Sequence, residues 1–261
     1  MKTVTSADGT SIAYEVTGTG PALILVGGAF CDRATSSSGT PLAELLAHRF
    51  TVFSYDRRGR GDSGEARPHA IAREVEDLAT LVTAAGGSAA LFGNSSGGLL
   101  ALDAIVSGLA IPKLVVYEPP VILDPDRAAE FARLATELDE CAASNRRSEA
   151  VELFMTKVLQ MPAPAIAHMR GAPVWAGLER LAHTLSYDLL LTAHARLAEM
   201  ANVRAATLVM DGSASPPWMR AAVQTLAEAI PGAQHRTLEG QTHAVDPAAL
   251  ARAIEGFLEK K

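Results

Sequence analysis

The sequence predicts an α/β fold: a mostly parallel, doubly wound sheet with helices on both faces and a helical block inserted between two of its strands. Three observations carry this reading. Strand and helix patterns alternate over residues 1–120 and again over 204–261. Residues 121–203 show helical periodicity without a strand pattern. Between an apolar stretch and a helical pattern stands Gly93-Asn94-Ser95-Ser96-Gly97, the Gly-x-Ser-x-Gly signature of a tight strand-to-helix turn that presents a serine.

Taken in order, residues 3–6 and 12–16 flank Asp8-Gly9, a pair that favours the turn of a β-hairpin. Residues 22–26 are apolar throughout, as a strand buried on both faces requires. Residues 41–47 read as a short helix and 51–55 as the next strand. Over 70–85 the apolar positions Ile71, Val75, Leu78, Leu81 and Val82 recur at helical spacing. Residues 89–92 lead into the serine turn, and Leu99, Leu100, Leu102, Ile105 and Val106 mark the helix after it. Residues 113–117 form a further strand, stopped by Pro119-Pro120.

In the inserted block, helical patterns cover 128–141, 148–159, 176–181 and 189–200, with Pro162, Pro164 and Pro173 as breakers. Its Phe154, Met155, Met161, Met169, Trp175 and Leu178 are expected mostly in its own core. Alternation then resumes with a strand at 207–210, a helix at 217–230, a strand at 234–238 and a helix at 247–258. Asp246 as N-cap with Pro247 in the first helical position gives that last helix a defined start.

The 261 residues, 48% hydrophobic and 20% charged, suffice for a substantial core. A net charge of −6 argues against a nucleic-acid partner, whose binding rests on neutralising phosphates. The one basic run, Arg57-Arg58-Gly59-Arg60, is followed by Asp62 and reads as a solvated turn. No apolar stretch approaches a membrane span, and the first eight residues lack the apolar segment of a secretory signal. A cytoplasmic protein without membrane contact is expected. Cys31 and Cys141 show no metal-ligand spacing and are expected as reduced thiols. No metal and no cofactor is implied; the expected partner is a small-molecule substrate, and a homo-oligomer is not indicated.

Ser95 is the centre of the turn pattern. Gly93 and Gly97 relieve the crowding of so sharp a bend, and the following helix turns its unpaired N–H groups toward a developing negative charge. Ser96 as nucleophile would put Asn94 where the first glycine belongs. Cys31 as nucleophile has no supporting pattern. A serine nucleophile needs a base, and neutral imidazole serves near pH 7. Of the 7 histidines, His243 falls in a strand-to-helix loop, at the carboxyl edge of the sheet where ligands gather.

These segments together resemble the α/β-hydrolase fold family over nearly the whole chain outside the helical block. Besides the serine turn, the resemblance rests on Asp8-Gly9 with Ile12-Ala13-Tyr14 and Gly18-Thr19-Gly20-Pro21, similar to the family's opening hairpin. It rests also on the run from Tyr55 to Ser63, which looks like the family's Asp-x-Arg-Gly-x-Gly-x-Ser turn, and on Gly240-Gln241-Thr242-His243 at the place of the family histidine. The resemblance implies an oxyanion hole of two backbone N–H groups, one from Ser96 and one from the loop after residue 26. Where the family has His-Gly, this chain has Gly27-Gly28, which makes Ala29 the second donor, or Gly28 if the register slips by one.

The acid departs from the family pattern. The usual aspartate position, three residues after Gly212, holds Ser215. Some family members take the acid from the earlier strand, and Glu118 matches that arrangement, with Pro119 expected to keep it extended. Asp211 is the alternative acid, otherwise a turn-former before Gly212; an absent acid is the third possibility.

Relatives with aspartate at the turn's centre include haloalkane dehalogenases and epoxide hydrolases. Serine there implies acyl transfer to water through an acyl-enzyme, on a small or medium, largely apolar ester or lactone, with residues 121–203 as a helical cap. Hydrolysis of a carbon–carbon bond in a diketone, or of a thioester, would use the same triad. A non-catalytic ligand-binding protein on the same fold is the reading of a different class, kept open by the serine at 215.

Overall fold

The computed structural model describes residues 1–34 and 39–259. They form two compact units, Met1–Val121 with Ala195–Lys261, and Ile122–His194.

The first unit contains β1 (Lys2–Thr5), β2 (Ser11–Thr17), β3 (Ala22–Val26), α1 (Thr40–Leu46), β4 (Thr51–Tyr55), α2 (Ile71–Ala84), β5 (Ala90–Asn94), α3 (Ser96–Val106) and β6 (Lys113–Tyr117). It resumes after the second unit with β7 (Ala206–Gly212), α9 (Pro217–Ala229), β8 (Gln234–Leu238) and α10 (Pro247–Leu258). One eight-stranded sheet runs β1-β2-β4-β3-β5-β6-β7-β8. The β1–β2 and β2–β4 pairs are antiparallel and every other pair is parallel. The continuous apolar runs of β3 and β6 are explained by this placement, since almost every side chain in them is buried. Leu23, Leu25, Phe92, Val115, Tyr117, Leu208 and Met210 of the sheet pack with Leu42 and Leu46 of α1 and with Leu250, Ile254 and Phe257 of α10. The parallel strands β3, β5, β6, β7 and β8 all end on one edge, and the loops leaving that edge carry the candidate site.

The basic run is not solvated. Arg57, Arg58 and Arg60 are each at most 2% exposed. Each guanidinium has an internal partner. Arg57 meets Glu74 at 2.6 and 2.7 Å, Arg58 meets Asp77 at 2.8 and 2.7 Å and Asp8 at 2.9 Å, and Arg60 donates to main-chain carbonyls. These partners lie 17 or more residues away in sequence, which is why the run alone looks like a surface turn. Burial pushes the Glu74 carboxyl up, but the Arg57 charge and its hydrogen bonds, with one from His69, hold it well below the ordinary carboxylate range.

Glu74→Gln is therefore expected to cost about 3–5 kcal/mol, because Arg57 is left buried without its charge partner. That corresponds to an unfolding midpoint lowered by roughly 6–20 °C. A folded-state pKa below the unfolded value of 4.5 means that this stabilisation is complete above pH 4.5 and is lost as pH falls below it. The acid limb of stability should be shallower in the variant. A midpoint shift under about 2 °C in thermal unfolding would contradict this account of the pair.

The second unit holds α4 (Pro125–Ala143), α5 (Arg147–Lys157), α6 (Ala163–Arg170), α7 (Val174–Leu181), a 3₁₀ turn at Ala182–Thr184 and α8 (Leu185–Ala193). Phe131, Leu134 and Leu138 of α4, Phe154 and Met155 of α5, Trp175 of α7 and Leu185 and Leu189 of α8 are buried. Trp175 Nε1 donates to Ser148 Oγ at 2.9 Å. Two elements differ from the sequence expectation. Pro164 and Pro173 begin helices instead of only breaking them, Pro164 in the first turn of α6 and Pro173 at the N-cap of α7, where a missing N–H costs nothing. The expected helix at 189–200 is divided: α8 starts earlier and stops at Ala193, and Leu197–Asn202 is a 3₁₀ stretch belonging to the first unit. Arg196 there pairs with Asp103 at 3.2 Å and with Glu199 at 2.5 Å. No helix among the described residues is long and apolar enough to cross a membrane.

Candidate active site

Ser95 occupies the turn between β5 and α3 with φ 53 and ψ −129, backbone angles that non-glycine residues rarely adopt. The turn can be this tight only because its neighbours lack side chains. A Cβ on Gly93 would come within 2.5 Å of Gly98 Cα, and one on Gly97 within 2.2 Å of the Val26 carbonyl oxygen. Ser95 precedes the first turn of α3 but its hydroxyl makes no capping hydrogen bond, which leaves the oxygen available for chemistry. Its main-chain N–H donates to the Tyr117 carbonyl at 2.9 Å, which fixes the turn against the end of β6.

Glu118 is the residue after that carbonyl. It is fully buried. Its N–H continues the β6–β7 ladder by donating to the Met210 carbonyl at 2.9 Å. The sequence expectation of an extended backbone before Pro119 is corrected here: Glu118 has φ 45. The chain leaves the sheet at this residue, and a left-handed kink is compatible with keeping the ladder bond while the side chain turns to its own partners. Gly212 N–H donates to one carboxylate oxygen at 2.8 Å, and the other lies 2.8 Å from His243 Nδ1. Burial raises the Glu118 pKa, but the His243 ring contact, the neighbouring Ser215 hydroxyl and the Gly212 N–H outweigh it and leave the carboxyl below its ordinary range. Ser215 is itself buried, close to the carboxylate but without a well-aligned hydrogen bond. The residue at the family's usual acid position thus stands beside the carboxylate that comes from the other strand.

His243 lies in the loop between β8 and α10 with its side chain 40% exposed. The loop is tied down from several sides. Tyr117 Oη donates to the Thr242 carbonyl at 2.7 Å, Ala214 N–H to the Gln241 carbonyl at 3.0 Å, and Asp246 N–H to Gln241 Oε1 at 2.8 Å. Gly212 permits this approach, since a Cβ there would sit 2.1 Å from the Gln241 carbonyl oxygen. The structure pairs His243 with Glu118. It does not join Ser95 Oγ to His243 Nε2 by a hydrogen bond, a contact that often closes only when substrate is bound. Asp211, the alternative acid, is buried and directed elsewhere, with His235 Nε2 at 3.3 Å and Arg220 Nε at 3.6 Å.

The loop after β3 passes directly over the serine turn. A Cβ on Gly28 would lie 2.9 Å from Ser95 Cβ and 2.9 Å from the Asn94 carbonyl oxygen. Ala29 follows Gly28, and Ser96 is the first residue of α3, whose leading N–H groups have no partner within the helix. Gly28, the residue before the expected donor Ala29, thus packs against Ser95, and the other expected donor, Ser96, directly follows Ser95 in the chain. Two supports escaped the sequence reading. Tyr117 carries the only strong signal for one, a phenol at the end of an apolar strand that needs a partner. The other is the arginine cluster behind the Gly28 loop. Among the described residues no group of three or more His, Cys, Asp or Glu could hold a metal ion.

Residues 23–253 match the family described as "Alpha/beta hydrolase family". The structure is similar to that of an alpha/beta hydrolase from Sphaerobacter thermophilus DSM 20745, with 48% identity and a TM-score of 0.89 over 98% of this chain and 100% of that one. It shares its fold with a thermophilic esterase from Thermogutta terrifontis at 22% identity and a TM-score of 0.73, covering 98% and 97% of the two chains. In sequence it is 29% identical over 150 residues to the uncharacterized hydrolase YraK of Bacillus subtilis (strain 168). That match spans 56% of this chain and 54% of YraK.

Proposed function

The chain belongs to the alpha/beta hydrolase family, and from this we propose that it is a serine hydrolase cleaving a small or medium ester or lactone through an acyl-enzyme. The observation that carries the reading is the 2.8 Å contact between His243 Nδ1 and a buried Glu118 carboxylate, one ladder step from the strained Ser95. A carboxylate on Nδ1 keeps the ring proton there and leaves Nε2 as the acceptor, the tautomer a general base requires.

In acylation, His243 Nε2 takes the Ser95 hydroxyl proton as Oγ bonds to the substrate carbonyl carbon. The carbonyl electron pair moves to oxygen, and the N–H groups of Ala29 and Ser96 stabilise the resulting oxyanion. Collapse expels the alcohol, which receives the proton from His243. Water then repeats the sequence on the acyl-enzyme and releases the acid. Glu118 stays ionised throughout and stabilises the imidazolium. A thermophilic esterase shares this fold.

The test is a panel of aryl esters, alkyl esters, lactones, thioesters and a vinylogous 1,5-diketone, each with kcat and KM. Activated short-chain esters or lactones are expected to give kcat/KM of roughly 10⁴ M⁻¹s⁻¹ or more. Turnover of thioester or diketone alone would move the reaction to that class. No turnover anywhere on the panel would contradict the proposal and favour a ligand-binding role.

A further inference from the structure

We propose that Arg60 is a positioning residue for the oxyanion hole, which fixes the plane of the Gly28–Ala29 peptide and thereby aims the Ala29 N–H. The inference rests on the serine-hydrolase reading above. Arg60 Nη1 donates to the Gly28 carbonyl at 2.5 Å and to the Cys31 carbonyl at 3.3 Å. These two carbonyls bracket Ala29 and Phe30. The side chain is 1% exposed, so the interaction is made away from bulk water.

A trans peptide is planar, with its N–H opposite its carbonyl. Pulling the Gly28 carbonyl toward Arg60 therefore turns the Ala29 N–H away from Arg60. Gly28 is packed against Ser95, so the direction of that one peptide decides whether the N–H addresses the reacting carbonyl or misses it. The loop needs an external brace. Gly27-Gly28 is the most permissive kind of backbone, and Phe30 carries φ 56, a strained value that must be held from outside.

The turn after β4 supplies the brace at several points. Arg57 Nη1 donates to the Gly27 carbonyl at 3.3 Å, and Asp56 Oδ1 accepts from the Arg33 N–H at 2.7 Å. Arg60 grips the centre of the loop. A cationic donor on a carbonyl also polarises the amide, which strengthens the N–H as a donor. The oxyanion forms only in the transition state, so the effect belongs in kcat and not in ground-state binding.

Arg60→Met and Arg60→Lys are compared with wild type on p-nitrophenyl acetate, with thermal unfolding measured in parallel. Arg60→Met is expected to lose about 100-fold in kcat with KM within about threefold, the size of effect seen when one oxyanion donor is lost. Arg60→Lys keeps a cation on the same side of the loop and is expected to recover about tenfold of that loss. A folded Arg60→Met with wild-type kcat, or with a defect confined to KM, overturns the inference. If Arg60→Met does not fold, Arg60→Lys decides: a kcat lowered with KM unchanged supports positioning, and full activity overturns it. Wild-type enzyme that turns over neither this ester nor any other substrate of the panel, or does so without Ser95, sinks the serine-hydrolase reading and this inference with it. Ser95-dependent turnover that is indifferent to residue 60 overturns this inference alone.

Discussion

Ser95→Ala is expected to lower kcat on an activated ester by roughly 10⁵–10⁶, the loss typical when a triad nucleophile is removed. The protein should stay folded. Ser95 is only partly buried, its hydroxyl caps nothing, and the bonds that hold the turn come from its main chain. Alanine keeps the Ser95 N–H donated to Tyr117 and the adjoining glycine packing. Residual turnover would reflect the oxyanion donors and substrate positioning alone. Near-normal turnover in this variant, with activity lost in Ser96→Ala instead, would transfer the nucleophile to the next residue.

Glu118→Gln is expected to lower kcat by about 10⁴ with the structure nearly intact. The size of the loss follows from which atom meets which partner. Gly212 N–H requires an acceptor, so the Gln carbonyl oxygen stays there and its NH₂ is turned toward His243 Nδ1. Nδ1 must then accept, and the ring proton moves to Nε2. In that tautomer Nε2 cannot take a proton from Ser95. Asp211→Asn should change kcat by less than about tenfold, because Asp211 is occupied with His235 and Arg220. The opposite ranking would assign the acid to Asp211. Because the Glu118 carboxyl sits below its ordinary pKa, its stabilising contribution is present above pH 4.5 and is lost as pH falls through the lower folded-state value.

Much of this architecture can be read from local pattern. The apolar runs of β3 and β6, the helical spacing in α2 and the Asp246-Pro247 start of α10 are encoded within a few residues, and the structure has them in place. The serine turn is legible for the same reason, since its glycines and serine are contiguous. The burial of the arginine run was not legible, because Glu74, Asp77 and Asp8 reach it from distant positions. The partition of 189–200 into α8 and a 3₁₀ stretch was hidden too, because helical periodicity persists through a segment that tertiary contacts assign to two units. Glu118 could be nominated from its place at a strand end. Its left-handed backbone could not, since the rule for residues before proline points to extended geometry, and the demands of Met210, Gly212 and His243 on one residue override it.

Ser95, activated by His243 as general base, is the expected site of covalent modification. The most direct measurement is covalent labelling with a fluorophosphonate, the modified residue being located by peptide mass spectrometry. One stoichiometric label is expected on Ser95 in wild type, with labelling slowed by orders of magnitude in His243→Ala and none at that site in Ser95→Ala. A wild-type protein that stays unlabelled under those conditions, or that carries the label on Ser96 or another side chain, would contradict this role for Ser95.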